Sequence, residues 1–161
     1  GIIGNYPDLE VLPIVEIRFD VLPPGANPIY SYEAKWVWDQ AESPVGVLDC
    51  PAKISADRAK QIADTAVSAF RALDCRDWCR IDIRLDAKGL PHILEVNPLP
   101  GVLPDPNQHS CLPTAARAAG MTYDQLIRAV FHAALNRYGI VKAQPGALRE
   151  NDCPWKDGVS A

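Results

Sequence analysis

Cys79-Arg80-Ile81-Asp82-Ile83-Arg84-Leu85-Asp86, a turn at Lys88-Gly89, and His92-Ile93-Leu94-Glu95-Val96-Asn97 together form the stretch that decides the fold. In an extended chain successive side chains point to opposite faces, so Cys79, Ile81, Ile83 and Leu85 share one face while Arg80, Asp82 and Arg84 share the other. The second run reads as the strand returning after a tight turn. Glu95 and Asn97 then point the same way, and if the two strands pair, Asp82, Glu95 and Asn97 converge. Carboxylate and amide oxygens suit a hard cation such as Mg2+, which keeps water and phosphate among its ligands. Ordinary solvent-facing strand residues alternate in the same way, so this spacing leaves both readings open. Arg80 and Arg84 flank Asp82 on this face, and one guanidinium there can bind a phosphate or stabilise a developing oxyanion, a structural salt bridge to Asp82 being the alternative.

Working outward, Ala59, Ile62, Ala63, Ala66, Ala69, Phe70 and Leu73 recur at helical spacing behind Ser55, which can cap the first turn. The pairing of this helix with the strands predicts a long helix packed on a largely antiparallel sheet, an α+β architecture. Gly1 to Gly4 reads as the end of an apolar strand entering a turn at Asn5-Tyr6-Pro7-Asp8. Leu9 to Asp20 fits one strand exposed on one face, with Pro13 at an edge or bulge. A turn follows at Leu22 to Pro28, then an extended segment over Ile29 to Lys35 and a polar loop from Asp39 to about Asp49. Pro98 to His109 reads as a loop leaving the sheet, and Pro113 to Ala119 as a short helix ended by Gly120. Thr122 and Gln125 match a capping box ahead of Leu126, Ile127, Val130, Phe131 and Leu135, with Gly139 as the stop. Residues 1 to 140 form one folded unit in this reading, and 141 to 161 an irregular tail.

A formal charge of -4 on 161 residues provides no broad attraction to a phosphate backbone, which disfavours nucleic-acid binding. No apolar run approaches the roughly 18 residues a membrane helix needs, and a cytoplasmic protein is expected. Cys50, Cys75, Cys79, Cys111 and Cys153 are odd in number and scattered, so they read as reduced thiols. The chain starts at Gly1 rather than Met, as a processed chain, an expression fragment or an incomplete sequence would.

The run from Cys79 to Asp86, followed by Ile93-Leu94-Glu95-Val96-Asn97-Pro98-Leu99-Pro100-Gly101, is similar to the signature of the D-alanine–D-alanine ligases of the ATP-grasp superfamily. The interval of 13 residues from Asp82 to Glu95 matches. The likeness continues at His109-Ser110-Cys111-Leu112-Pro113, at Ala118-Ala119-Gly120-Met121-Thr122-Tyr123, and earlier at Ile29-Tyr30-Ser31-Tyr32-Glu33-Ala34-Lys35. It implies the C-terminal subdomain of an ATP-grasp fold and an ATP- and Mg2+-dependent carboxylate-amine ligase, with Mn2+ an alternative metal. By the resemblance, Asp82, Glu95 and Asn97 hold the metal and Lys35 contacts phosphate. Arg80 and the Gly101 amide stabilise the tetrahedral oxyanion. Ser110 and the neighbouring backbone at Cys111 receive the acceptor carboxylate, a helix cap being the alternative for Ser110. Amino-acid substrates, D-alanine foremost, are implied, and a homodimer is one assembly open to the complete enzyme.

The resemblance also implies that N-terminal ATP-grasp and substrate-binding regions are missing ahead of Gly1, leaving this chain inactive alone. Trp36 stands where the family usually has Tyr, and Val102 to Gln108 is longer than usual. These two departures favour, as the alternative substrate reading, a ligase joining other amino or hydroxy acids. A non-catalytic remnant that binds another polypeptide is the third.

Overall fold

The computed structural model describes residues 1–38, 46–108 and 110–140, with the side chains of Lys35 and Trp36 outside the description. His109, part of the loop expected over 39–49, and the tail 141–161 with Cys153 also lie outside the described residues.

Strand β1 (Ile2–Asn5) turns back into β2 (Asp8–Val11), as expected from Tyr6-Pro7. The expected single strand over Leu9 to Asp20 is instead two short ones in different sheets, β2 and β3 (Glu16–Ile17). Pro13 has no N–H to donate, so a ladder cannot run through it. Leu12 turns into the core with its N–H on the Gly1 carbonyl at 2.9 Å, and Ile14 accepts from Ala52 at 2.8 Å. The chain thereby enters a second, two-stranded sheet of β3 with β4 (Leu48–Asp49). The extended segment expected over Ile29 to Lys35 is not a strand. It leads into a π-helical turn, Ala34–Trp38, whose entry is held by the Ala34 N–H on Ser31 Oγ at 3.2 Å.

Helix α1 (Ala56–Ala72) starts at Ser55, whose hydroxyl accepts from the Arg58 N–H. It is followed by β5 (Trp78–Leu85) and β6 (Pro91–Asn97), which complete an antiparallel sheet in the order β2-β1-β5-β6. The β5–β6 turn closes on Gly89 at φ +79°, where an added Cβ would run into the Arg58 guanidinium. Within this pair Asp82 faces Glu95 but Ile83 faces Ile93, so Leu94 is an extra residue bulged out of β6.

Alternation sorts the sheet into two cores. Ile2, Cys79, Ile81, Ile83 and Val96 pack with Ala66, Phe70 and Cys75 beneath α1. Ile3 and Trp78 meet Leu112, Ala115, Ala116 and Leu126 of α2 (Cys111–Ala118) and α3 (Tyr123–Arg137) on the other face. Beyond Trp78 that second face carries Arg80 and Asp82, so the helices cover one end of it and leave the other open. Helix α2 starts two residues earlier than expected, because Pro113 in its first turn needs no intrahelical partner for the N–H it lacks. The capping box at Thr122 and Gln125 is formed in both directions. All three helices stop in the same way, with a left-handed residue (Asp74, Gly120, Gly139) and a bond from the following N–H to a carbonyl five residues back.

Asp77 ties three elements together. Its carboxylate takes two hydrogen bonds from Arg137 at 3.0 and 2.7 Å and one from Asn5 at 2.9 Å, and Asn5 also reaches the Ala133 carbonyl at 3.0 Å. The Arg137 hydrogen bonds, with Asn5 and the Arg137 charge, hold the Asp77 carboxyl below its ordinary range against the opposing effect of burial. A depressed folded value contributes stability that is present above the unfolded value, about 3.9, and is lost as pH falls through the lower folded one. Urea midpoints measured from neutral to acid pH should therefore drop below about pH 4 in the native protein. With Asp77→Asn the midpoint should be lower at neutral pH and the acid limb shallower. An unchanged acid limb would remove Asp77 from the linkage.

Candidate active site

The β5–β6 register places Asp82 opposite Glu95 and Arg80 opposite Asn97. Directly opposed residues share a face with Cβ atoms about 4.5–5.5 Å apart, so one surface collects two carboxylates, an amide and a guanidinium. Arg80 grips Asp82 through Nε to Oδ1 at 2.8 Å and a terminal nitrogen to Oδ2 at 2.9 Å. Burial pulls the Arg80 pKa down, but the Asp82 hydrogen bonds and charge, helped by Glu95, leave it above its ordinary value. The guanidinium stays charged. Glu95 has no ion-pair partner among the described residues, and two like charges directly opposed destabilise a sheet.

Asn97 carries the other uncompensated group. Its Nδ2 is buried and has no hydrogen-bond partner, which costs about 1–3 kcal/mol for a lost partner. A half-turn of the amide about its terminal torsion puts the carbonyl oxygen at that position instead. The donor set therefore fits a hard divalent cation: an unpaired carboxylate, an orphaned amide, and Asp82, whose oxygens keep lone pairs beyond those used by Arg80. Among the described residues no three His, Cys, Asp or Glu side chains gather into a metal site. Two carboxylates with an amide match the Mg2+ pattern, in which few side chains are completed by water and substrate phosphate.

Below the sheet, the loop after β6 is fixed by Ser110, which is 6% exposed. Its hydroxyl donates to the Gly101 carbonyl at 2.9 Å and accepts from the Leu103 N–H at 3.3 Å, and the Tyr123 hydroxyl reaches the Val102 carbonyl at 3.5 Å. Ser110 stands at the N-cap of α2 but its side chain caps nothing there. Pro100 is buried, while the stretch from Leu103 to Gln108 is exposed. Gly101 has no left-handed φ and a Cβ there would meet nothing within 4 Å. Neither strain nor packing among the described residues requires a glycine there, and Gly101 is exposed. Cys111 opens α2, half-buried, and the backbone of Lys35 lies in the π-helical turn.

The structure thus groups Arg80, Asp82, Glu95 and Asn97 on one face and links Gly101 to Ser110 through a hydrogen bond. Arg84 is placed differently from a phosphate ligand. One terminal nitrogen donates to the Pro28 carbonyl at 2.8 Å, and the guanidinium lies 5.0 Å from the centre of the Phe19 ring. Nothing in the local pattern of β5 signals a partner 56 residues away. Two open clefts of about 510 and 430 Å³ meet at Asp74, Cys75 and Arg76, and none of Arg80, Asp82, Glu95 and Asn97 lines either.

The family model for the C-terminus of D-ala D-ala ligase matches residues 1–132. An uncharacterised protein of Sinorhizobium fredii, y4sG, is 39% identical over 138 residues, covering 86% of this chain and 38% of that protein. A D-alanine–D-alanine ligase of Bordetella petrii is 39% identical over 126 residues, 78% of this chain and 34% of the ligase. The crystal structure of the Bacillus anthracis D-alanine–D-alanine ligase superposes with a TM-score of 0.54 at 26% identity, over 80% of this chain and 37% of that one. The same enzyme in complex with ATP gives 0.50 over 58% and 31%. The chain therefore matches about a third of the length of these relatives. An antiparallel sheet between helices, an acidic face shared with Arg80 and a match over residues 1–132 agree: the chain belongs to the D-alanine–D-alanine ligase C-terminal family and has the fold of the C-terminal part of an ATP-grasp domain.

Proposed function

We propose that this chain supplies the metal- and phosphate-binding part of an ATP- and Mg2+-dependent ligase that joins two amino acids, D-alanine foremost, through an acyl phosphate, in the cytoplasm. The observation that supports it best is the β5–β6 register, which opposes Asp82 to Glu95 beside an amide with no partner of its own. The ATP complex of the Bacillus anthracis relative supports the nucleotide. Asp82, Glu95 and Asn97 would hold Mg2+, which when bound neutralises phosphate charge during phosphoryl transfer. Lys35 adds a contact to phosphate.

Arg80, charged and oriented by Asp82, offers donors to the oxyanion that develops when the acceptor amine attacks the acyl phosphate. The Gly101 N–H addresses the same oxygen from the loop, and the absence of a side chain lets the substrate approach the backbone. The start of α2 at Ser110 and Cys111 receives the acceptor carboxylate, where backbone N–H groups and the helix dipole favour an anion. The exposed stretch of the Val102–Gln108 loop beside that position favours a second reading of the acceptor, another amino or hydroxy acid.

Because the chain covers 34 to 38% of its relatives, the 161-residue protein alone should form no D-alanyl-D-alanine. ATP, Mg2+ and D-alanine are supplied with and without the preceding ligase regions, and phosphate and dipeptide are both measured. Dipeptide from the chain alone would defeat the partial-site reading. Dipeptide only on supplementation supports it, and phosphate release driven by a different amino or hydroxy acid moves the acceptor while keeping the chemistry.

A further inference from the structure

We propose that Arg84 is a positioning residue: it clasps the Phe19–Pro28 stretch to the acidic face and so sets where the Ala34–Trp38 turn, which carries Lys35, stands relative to Asp82 and Glu95. This rests on the ligase reading for its link to ATP, but the clasp itself can be tested without it.

Arg84 lies on the same face of β5 as Arg80 and Asp82, two residues beyond Asp82. Its guanidinium has two separate engagements with one distant stretch, the hydrogen bond to the Pro28 carbonyl at 2.8 Å and the Phe19 ring 5.0 Å away. A cation over an aromatic face is attracted by the ring quadrupole, and a planar guanidinium can stack and donate at once. The stretch has need of such a tie. Its backbone bonds are local: Leu22 to Phe19 at 3.3 Å, Ala26 to Pro23 at 3.0 Å and Ile29 to Asn27 at 2.7 Å. These bonds shape the turns but do not fix them against the sheet. Ile29 and Tyr32 are 51% and 72% exposed, so packing there holds little. From Pro28 the chain then runs to the buried Ala34, where the π-helical turn begins. Holding Pro28 restricts the reach of that short connection, whose far end carries Lys35.

A group that sets the position of a phosphate contact changes nucleotide binding more than the later chemical step. Arg84→Ala in the full-length protein should therefore raise KM for ATP roughly fivefold to tenfold with a smaller change in kcat, on the scale of one hydrogen bond and one cation–π contact. Arg84→Lys keeps the charge but loses the planar stack, and should fall between. Phe19→Leu should change KM in the same direction, and the double variant should be less than additive.

The test pairs these kinetics with hydrogen exchange of the wild type, Arg84→Ala and Phe19→Leu without nucleotide. Faster exchange confined to residues 20–38, with β5 and β6 protected as before, supports the clasp. Unchanged exchange there, or loss of protection across β5 and β6, overturns it. Faster local exchange with KM for ATP unmoved overturns the link to the phosphate contact. A wild type that turns over no ATP would defeat the ligase reading, and the exchange result would still decide the clasp.

Discussion

Arg80→Ala should lower kcat of the proposed ligase by roughly 10²–10³-fold while ATP affinity changes by no more than about threefold. The ground-state partner of Arg80 is already in place, since both oxygens of Asp82 receive its hydrogen bonds at 2.8 and 2.9 Å. In the proposed role its remaining donors gain a partner when negative charge develops in front of the face, which is the condition for acting on turnover rather than on binding. Arg80→Lys should recover only part of the loss, because a single ammonium cannot grip Asp82 bidentately and donate outward in a fixed direction. Single-turnover rates and equilibrium ATP binding measured on the same samples decide the matter. A rise in the ATP dissociation constant with normal single-turnover chemistry would assign Arg80 to ground-state phosphate binding.

Glu95→Gln carries the second large effect, and it has opposite signs in two measurements. The substitution keeps shape and removes the charge that has no ion-pair partner among the described residues. If Glu95 is a metal ligand, Mg2+-dependent turnover should fall by on the order of 10²–10³-fold, equivalent to several kcal/mol of charge stabilisation. The same change removes the repulsion between directly opposed carboxylates, so stability without metal should rise by about 0.2–1 kcal/mol. Denaturation midpoints in chelator, set beside activity at increasing Mg2+, give both readouts. A variant that is neither more stable nor less active would return Glu95 to the status of a solvent-facing strand residue.

How much was legible in advance follows from the range of the interactions involved. Helix α1 with its Ser55 cap, the box at Thr122 and Gln125, and the β5–β6 hairpin are specified by residues within a few positions of each other, and all three stand as read. The apolar and polar faces of β5 were readable for the same reason. What failed depended on distant partners. The bend after Leu12 depends on Gly1 and Ala52 as acceptor and donor, and the helical turn at Ala34 follows a stretch held by Arg84. For Arg84, alternation reveals the face of the side chain but not its partners, the Pro28 carbonyl and the Phe19 ring. Ser110 shows the same limit in the loop: its place before Pro113 suits a helix cap, whereas its hydroxyl bridges Gly101 and Leu103 and makes no capping bond.

Leu94, the unmatched residue of β6, has a consequence for how this hairpin tolerates change in length. It acts as a phase shifter. On its site side, parity puts Glu95 and Asn97 with Asp82, and on its turn side the count restarts, so that Ile93 falls in with Ile83. The two halves of the strand are out of step by one residue and each is in register with β5 on its own terms. An insertion or deletion near the Lys88–Gly89 turn therefore need not be transmitted to the acidic residues, since the bulge can take up or release a residue before the shift reaches Glu95. A strand without that slack would be rigidly geared from turn to acidic face, and every one-residue change of turn length would exchange carboxylate for aliphatic there.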